Sequence, residues 1–157
     1  MKPGPRIVLV QPQIPPNTGN VARLCAALQV PLFLVGELGF EITDRYLKRA
    51  GLDYWHLVDV TVRPDVASFF AGLAPEDVHL LTKRATVSYA EVCYKPGDYL
   101  VFGSETKGLP DWVLAAYPDR HRRIPMRSKG VRSLNLSSAA AIVAYEAARQ
   151  TNLFSGA

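Results

Sequence analysis

Short apolar runs alternate with stretches of helical spacing along most of the chain. Residues 6–11 (RIVLVQ) form a β-branched run closed by Pro12, and residues 18–29 then place Val21, Leu24, Cys25 and Leu28 at helical intervals, which predicts a strand followed by a helix. Residues 31–36 (PLFLVG) predict the next strand, and 43–50 a helix capped by Thr43 with Gly51 just past its end. A strand is predicted over 55–62, a helix over 64–71 with Pro64 in its first turn and Gly72 at its stop, and a further strand over 78–82. The stretch 87–94 is ambiguous. Residues 98–103 (DYLVFG) predict a buried strand, 110–116 a short helix and 123–126 a last strand. Strands alternating with helices predict an α/β fold, a mostly parallel sheet with helices on both faces.

The segment 132–149 (RSLNLSSAAAIVAYEAAR) closes this pattern with a polar cluster that runs into a small-residue helix free of Gly and Pro. Asn135 or Ser137 offers the short side-chain oxygen that caps its first amides. Leu136, Ala139, Ala140, Val143 and Ala147 fall on one face, and Ile142 and Tyr145 widen the apolar surface, so the helix is expected to be buried on several sides.

With 157 residues, 48% apolar and 20% charged, the chain is expected to form a single domain over 1–157. Its longest apolar runs fall far short of the about 18 residues of a membrane span, and residues 1–16 carry no signal-peptide pattern, so a cytoplasmic location without membrane contact is expected. Cys25 and Cys93 lack CxxC spacing and are expected to be reduced and structural; His56, His79 and His121 are scattered, and no metal site is expected. Net charge is +4, and Arg120, Arg122, Arg123, Arg127, Lys129 and Arg132 share a stretch with no carboxylate. Such a stretch is either a solvated basic loop or a surface for a polyanion.

Ligands of parallel sheets gather where strands end at their carboxyl edge. Residues 11–23 (QPQIPPNTGNVAR) stiffen the backbone with prolines and present Asn17, Thr18 and Asn20 around Gly19, ahead of a helix carrying Arg23. Residues 103–110 (GSETKGLP) enclose Glu105 and Lys107 between two glycines, and residues 124–135 lead into the last helix. GSETKGLP lacks the GxxxxGK[ST] pattern of a phosphate-binding loop, and the first loop lacks GxGxxG. No GxSxG is present either, so phosphoryl, hydride and serine acyl transfer all lose support.

Together the three loops resemble the SPOUT superfamily of RNA methyltransferases, in its SpoU-type ribose 2'-O-methyltransferase branch. The motifs carrying the resemblance are NTGNVAR (17–23), LVFGSETKGLP (100–110), and IPM (124–126) followed by SLNLS (133–137). Within the family the likeness is greatest to small enzymes acting on the wobble ribose of tRNA-Leu, through IPPNTGNVARLC, RAGLDYWHL and VAYEAARQ. The resemblance implies a deep C-terminal trefoil knot, a homodimer, and S-adenosylmethionine as methyl donor to the 2'-hydroxyl of cytidine or uridine 34. It implies a cofactor site at Leu81, Thr82, Gly103, Glu105, Gly108, Ile124, Met126, Ser133 and Leu134, where the missing side chain of Gly103 allows a close backbone approach to the ligand. It further implies catalytic roles for Asn17, Arg23, Asn135 and Ser137. RNA contacts are expected at Arg122, Arg127, Lys129 and Arg132, with Arg45, Lys48 and Arg49 as further candidates, and the resemblance implies an RNA or dimer role for Tyr145. Another RNA position, ribosomal RNA, or a noncatalytic RNA-binding role are the competing readings.

Overall fold

The computed structural model describes residues 3–43 and 54–155. Its strands are β1 (Arg6–Val10), β2 (Leu32–Val35), β3 (Val60–Arg63), β4 (Val78–Leu81), β5 (Tyr99–Phe102) and β6 (His121–Arg122). They form one sheet in the order β3-β2-β1-β5-β4-β6, and every pairing is parallel. The helices among the described residues are α1 (Pro15–Leu28), α2 (Val66–Ala71), α3 (Asp111–Ala116) and α4 (Leu136–Gln150).

The pleat of β1 explains why its sequence is apolar throughout. Ile7 and Leu9 pack with Val21, Ala22 and Cys25 of α1 and with Ala140, Val143 and Ala147 of α4. Val8 and Val10 turn to the other face, against Phe69 and Phe70 of α2 and Val113 and Leu114 of α3. A strand buried on both faces needs no polar alternation. The alanines of α4 are small enough to bring it close to α1 on the sheet.

Several element boundaries differ from the sequence pattern. α1 starts at Pro15, ahead of the expected residue 18, because Pro15 and Pro16 occupy the opening positions where a missing N–H costs nothing. Asn17, Thr18 and Gly19 therefore lie in the helix rather than in a loop. The expected strand over 55–62 divides into a 3-10 turn (Trp55–Leu57) and β3, and α2 begins at Val66 with Asp65 accepting from the Ala67 amide. The ambiguous stretch holds a 3-10 turn, Tyr89–Glu91, capped by Ser88. The last strand is His121–Arg122, not 123–126; Arg123 keeps one bridge to Ser88, and the chain then leaves the sheet. The helix expected over 43–50, with Arg45, Lys48 and Arg49, lies outside the described residues apart from Thr43.

Asn135 caps α4, as one of its two expected caps. The helix is buried on one side only. Tyr145 is 47% exposed and its ring stacks on that of Phe154, centroids 5.8 Å apart. Cys25 is buried, which pushes its thiol up to about 12, whereas Cys93 is exposed and fills no structural position.

Arg122 requires a correction of its own. Expected to contact RNA, it is only 5% exposed and its Nε donates to His79 Nδ1 at 3.2 Å. A guanidinium can only donate, so Nδ1 must accept and the His79 proton sits on Nε2, which donates to Asp98 Oδ2 at 2.8 Å. Asp98 also accepts from the Lys95 amide. This chain of contacts joins β4, β6 and the residue preceding β5 inside the sheet, and leaves Arg122 no face for RNA.

Burial holds the His79 pKa below its ordinary 6.5, outweighing the opposing hydrogen bond and charge of Asp98, with Arg120 and Arg122 also lowering it. The unfolded chain then binds a proton at mildly acidic pH that the native state refuses, so stability is full above about 6.5 and falls as pH drops through the window below it. Urea titrations from about pH 7.5 to about pH 5.5 are expected to show this decline, with a shallower slope in His79→Gln; equal slopes would contradict the assignment.

Candidate active site

The site begins with a problem of unsatisfied amides. Ile14 precedes the first turn of α1 and supplies no side-chain cap, while Pro15 and Pro16 have no N–H to offer. The amides of Gln13 and Ile14 are met from the loop after β5: Glu105 Oε1 accepts from Gln13 N and Oε2 from Ile14 N, each at 2.9 Å. A negative group there also complements the positive end of the helix dipole.

The same carboxylate orders the next contacts. Asn17 donates Nδ2 to Glu105 Oε2 at 3.2 Å, which turns its Oδ1 toward Asn135 Nδ2 at 3.1 Å. Asn135 Oδ1 then accepts from the Ser137 amide at 2.9 Å and from the Ser137 hydroxyl at 2.6 Å. Because both carboxylate oxygens accept, the direction of every donor along the chain is set from Glu105 onward. Three segments far apart in sequence are thereby joined.

The loop bearing Glu105 is a tight fold-back. Ser104 and Gly108 exchange backbone hydrogen bonds, Ser104 Oγ accepts from the Lys107 amide, and Gly108 has φ of 69°, the left-handed region glycine tolerates. A Cβ on Gly103 would collide with the Gly108 carbonyl carbon and the Leu109 nitrogen. The missing side chain of Gly103 is thus required by the loop's own backbone, a constraint that stands beside its place on the cavity wall.

These segments enclose a cavity of about 570 Å³ at the carboxyl ends of β4 and β5, a volume in the range of small-molecule sites. All nine residues expected at the cofactor line it. Leu81 and Thr82 come from β4 and its exit, Gly103, Glu105 and Gly108 from the loop after β5, and Ile124, Met126, Ser133 and Leu134 from the chain leading to α4. Asn17 and Asn135 also face the cavity.

Arg23 and Ser137 do not line it. Ser137 is held at its edge through Asn135, and Arg23 is exposed on α1 with its guanidinium over the Tyr54 ring, 5.1 Å from the centroid. Arg127, Lys129 and Arg132 are exposed on the segment between Met126 and Ser133, while Tyr145 lies away from the cavity on α4. Lys83 and Arg84 line the cavity as well and were passed over in the sequence. Their signal was a pair of cations directly after a predicted strand, at its ligand edge.

The walls combine apolar Leu81, Leu109, Ile124 and Leu134 with the polar Thr82, Ser104, Asn17 and Asn135. That mixture suits a small ligand with both apolar and polar parts. No helix among the described residues is long and apolar enough to cross a membrane.

A parallel α/β sheet with a cavity at its carboxyl edge defines the class of open α/β folds that take ligands beyond the ends of their strands. The sequence profile of the SpoU rRNA Methylase family matches residues 4–145, and the chain belongs to that family. It is 46% identical over 145 residues to the tRNA (cytidine(34)-2'-O)-methyltransferase of Escherichia coli K12, covering 92% of each chain. A solved structure described as giving insights into 2-OH methylation of C/U34 on tRNA superposes with a TM-score of 0.86 at 45% identity, covering 96% of this chain and 92% of that one. An AdoMet-bound rRNA methyltransferase from Sinorhizobium meliloti superposes with a TM-score of 0.79 at 25% identity, covering 95% of this chain and 57% of that one.

Gly103→Ala is expected to cost about 1–3 kcal/mol in urea unfolding, since the loop backbone must move to admit the methyl group. A loss smaller than about 0.5 kcal/mol would show that the fold-back is not tight.

Proposed function

We propose that this protein transfers the methyl group of S-adenosylmethionine to the ribose 2'-hydroxyl of the wobble nucleotide, cytidine or uridine 34, of tRNA-Leu. The observation that carries this reading is the hydrogen-bond chain from Glu105 through Asn17 and Asn135 to Ser137, which gathers three motif segments at one cavity. The relatives named above, with their stated action on C34 or C/U34, support the choice of nucleotide. The AdoMet-bound relative supports the cofactor.

When bound, the sulfonium cofactor supplies an activated methyl group that needs no metal. The backbone and apolar walls at Leu81, Thr82, Gly103, Gly108, Ile124, Met126, Ser133 and Leu134 would hold it, and Glu105 would keep the wall beside Asn17 in place. Asn135 and Ser137 act on the sugar. The Ser137 proton is committed to Asn135 Oδ1, so its hydroxyl faces a ribose as an acceptor and can take a hydrogen bond from the 2'-OH.

Arg23 stabilises charge. The attacking oxygen gains negative character as its proton leaves, and a guanidinium with pKa above about 12 makes a poor base but a good fork for an alkoxide and its neighbouring phosphate. Arg127, Lys129 and Arg132 hold the RNA backbone and set its register. A second copy of the chain covers the Tyr145 and Phe154 rings, the homodimer that the family resemblance implies, and the trefoil knot implied by the same resemblance would set α4 between cofactor and interface.

The test is methylation of total tRNA with labelled cofactor, followed by mapping of the modified nucleoside. A 2'-O-methyl group at position 34 of tRNA-Leu is expected; modification elsewhere in tRNA or in ribosomal RNA overturns the substrate, and no transfer to any RNA overturns the reaction. Arg23→Lys is expected to lower the single-turnover rate at least about 10-fold, and near-full turnover would refute the fork.

A further inference from the structure

The position of Arg23 raises a physical difficulty. Its side chain is exposed, and a free arginine carries about 2 kcal/mol of rotamer entropy, whereas electrostatic catalysis needs donors held to within about 0.5 Å. A carboxylate partner would fix the group but compete for the N–H edge that a phosphate or alkoxide must use. Among the described residues no carboxylate pairs with Arg23 and none of its N–H groups is hydrogen-bonded. The contact it does make is with the ring of Tyr54.

Stacking engages the face of the guanidinium and leaves its edge free. Tyr54 is well placed for this. It is half-buried at the head of the 3-10 turn Trp55–Leu57, where Tyr54 O accepts from the Leu57 amide at 2.9 Å. That turn rests on α1, and Trp55 and Val58 pack into the core around β1. The platform is therefore tied to the same helix that carries Arg23.

We propose that Tyr54 is a positioning residue for methyl transfer: its ring fixes the Arg23 guanidinium in plane while leaving every N–H available to the RNA. The proposal rests on the role given to Arg23 above. It requires the aromatic face and not the phenol hydroxyl, and it acts only through Arg23.

The experiment is a double-mutant cycle with Tyr54→Leu and Arg23→Ala, plus Tyr54→Phe, read as single-turnover rate and tRNA Kd, with cofactor Kd as a control. Tyr54→Leu is expected to slow transfer about 3- to 20-fold, the range for a cation held on an aromatic face, with cofactor Kd unchanged. Tyr54→Phe restores most of the rate. In the Arg23→Ala background Tyr54→Leu has no further effect on rate or, should turnover vanish there, on tRNA Kd. An equal loss in both backgrounds, or no loss in the wild-type background, overturns the role of Tyr54. Full activity of Arg23→Ala overturns the role of Arg23 instead, so the two failures are distinguishable.

Discussion

The site depends on one carboxylate meeting two amides. Glu105 accepts from Gln13 and Ile14 at the start of α1, where the apolar Ile14 stands at the cap position and offers no side-chain acceptor. A helix start answered from within its own segment would constrain nothing distant. Answered from the loop after β5, it locks the first helix to the cavity wall, and through Asn17 it dictates how Asn135 and Ser137 present their polar atoms.

The rest of the molecule keeps these parts in place. Both faces of the sheet are sealed by apolar side chains, α1 and α4 on one and α2 and α3 on the other, so polar chemistry is confined to the carboxyl edge. The buried contact of Asp98, His79 and Arg122 fastens β4, β5 and β6 to one another beneath the cavity. Arg122 thereby shows how a cation in a basic stretch can belong to the interior, while Arg127, Lys129 and Arg132 a few residues on are exposed.

Much of this was legible in the sequence. The apolar runs gave β1, β2, β4 and β5 nearly to the residue, because strands buried on both faces have no other way to be written. The cavity residues followed from motif resemblance rather than from periodicity. What the sequence hid were features that depend on tertiary contact: Glu105 serving as cap for a helix about ninety residues earlier, the collision that requires Gly103, the shortening of β6, and Lys83 and Arg84 on the cavity wall. The one-sided burial of α4 was equally hidden, since an apolar coat does not say whether its own chain or another covers it.

Coupling between residues that do not touch is the most direct test of the account. Glu105→Ala and Asn135→Ala, singly and together, would be measured by urea unfolding and by calorimetric titration with S-adenosylmethionine. Because both act through Asn17, their effects are expected to be non-additive by about 1 kcal/mol in stability, in cofactor affinity or in both. Additivity within about 0.5 kcal/mol in both measurements would mean that the three segments are held independently, and the hydrogen-bond chain would lose its place as the organising contact.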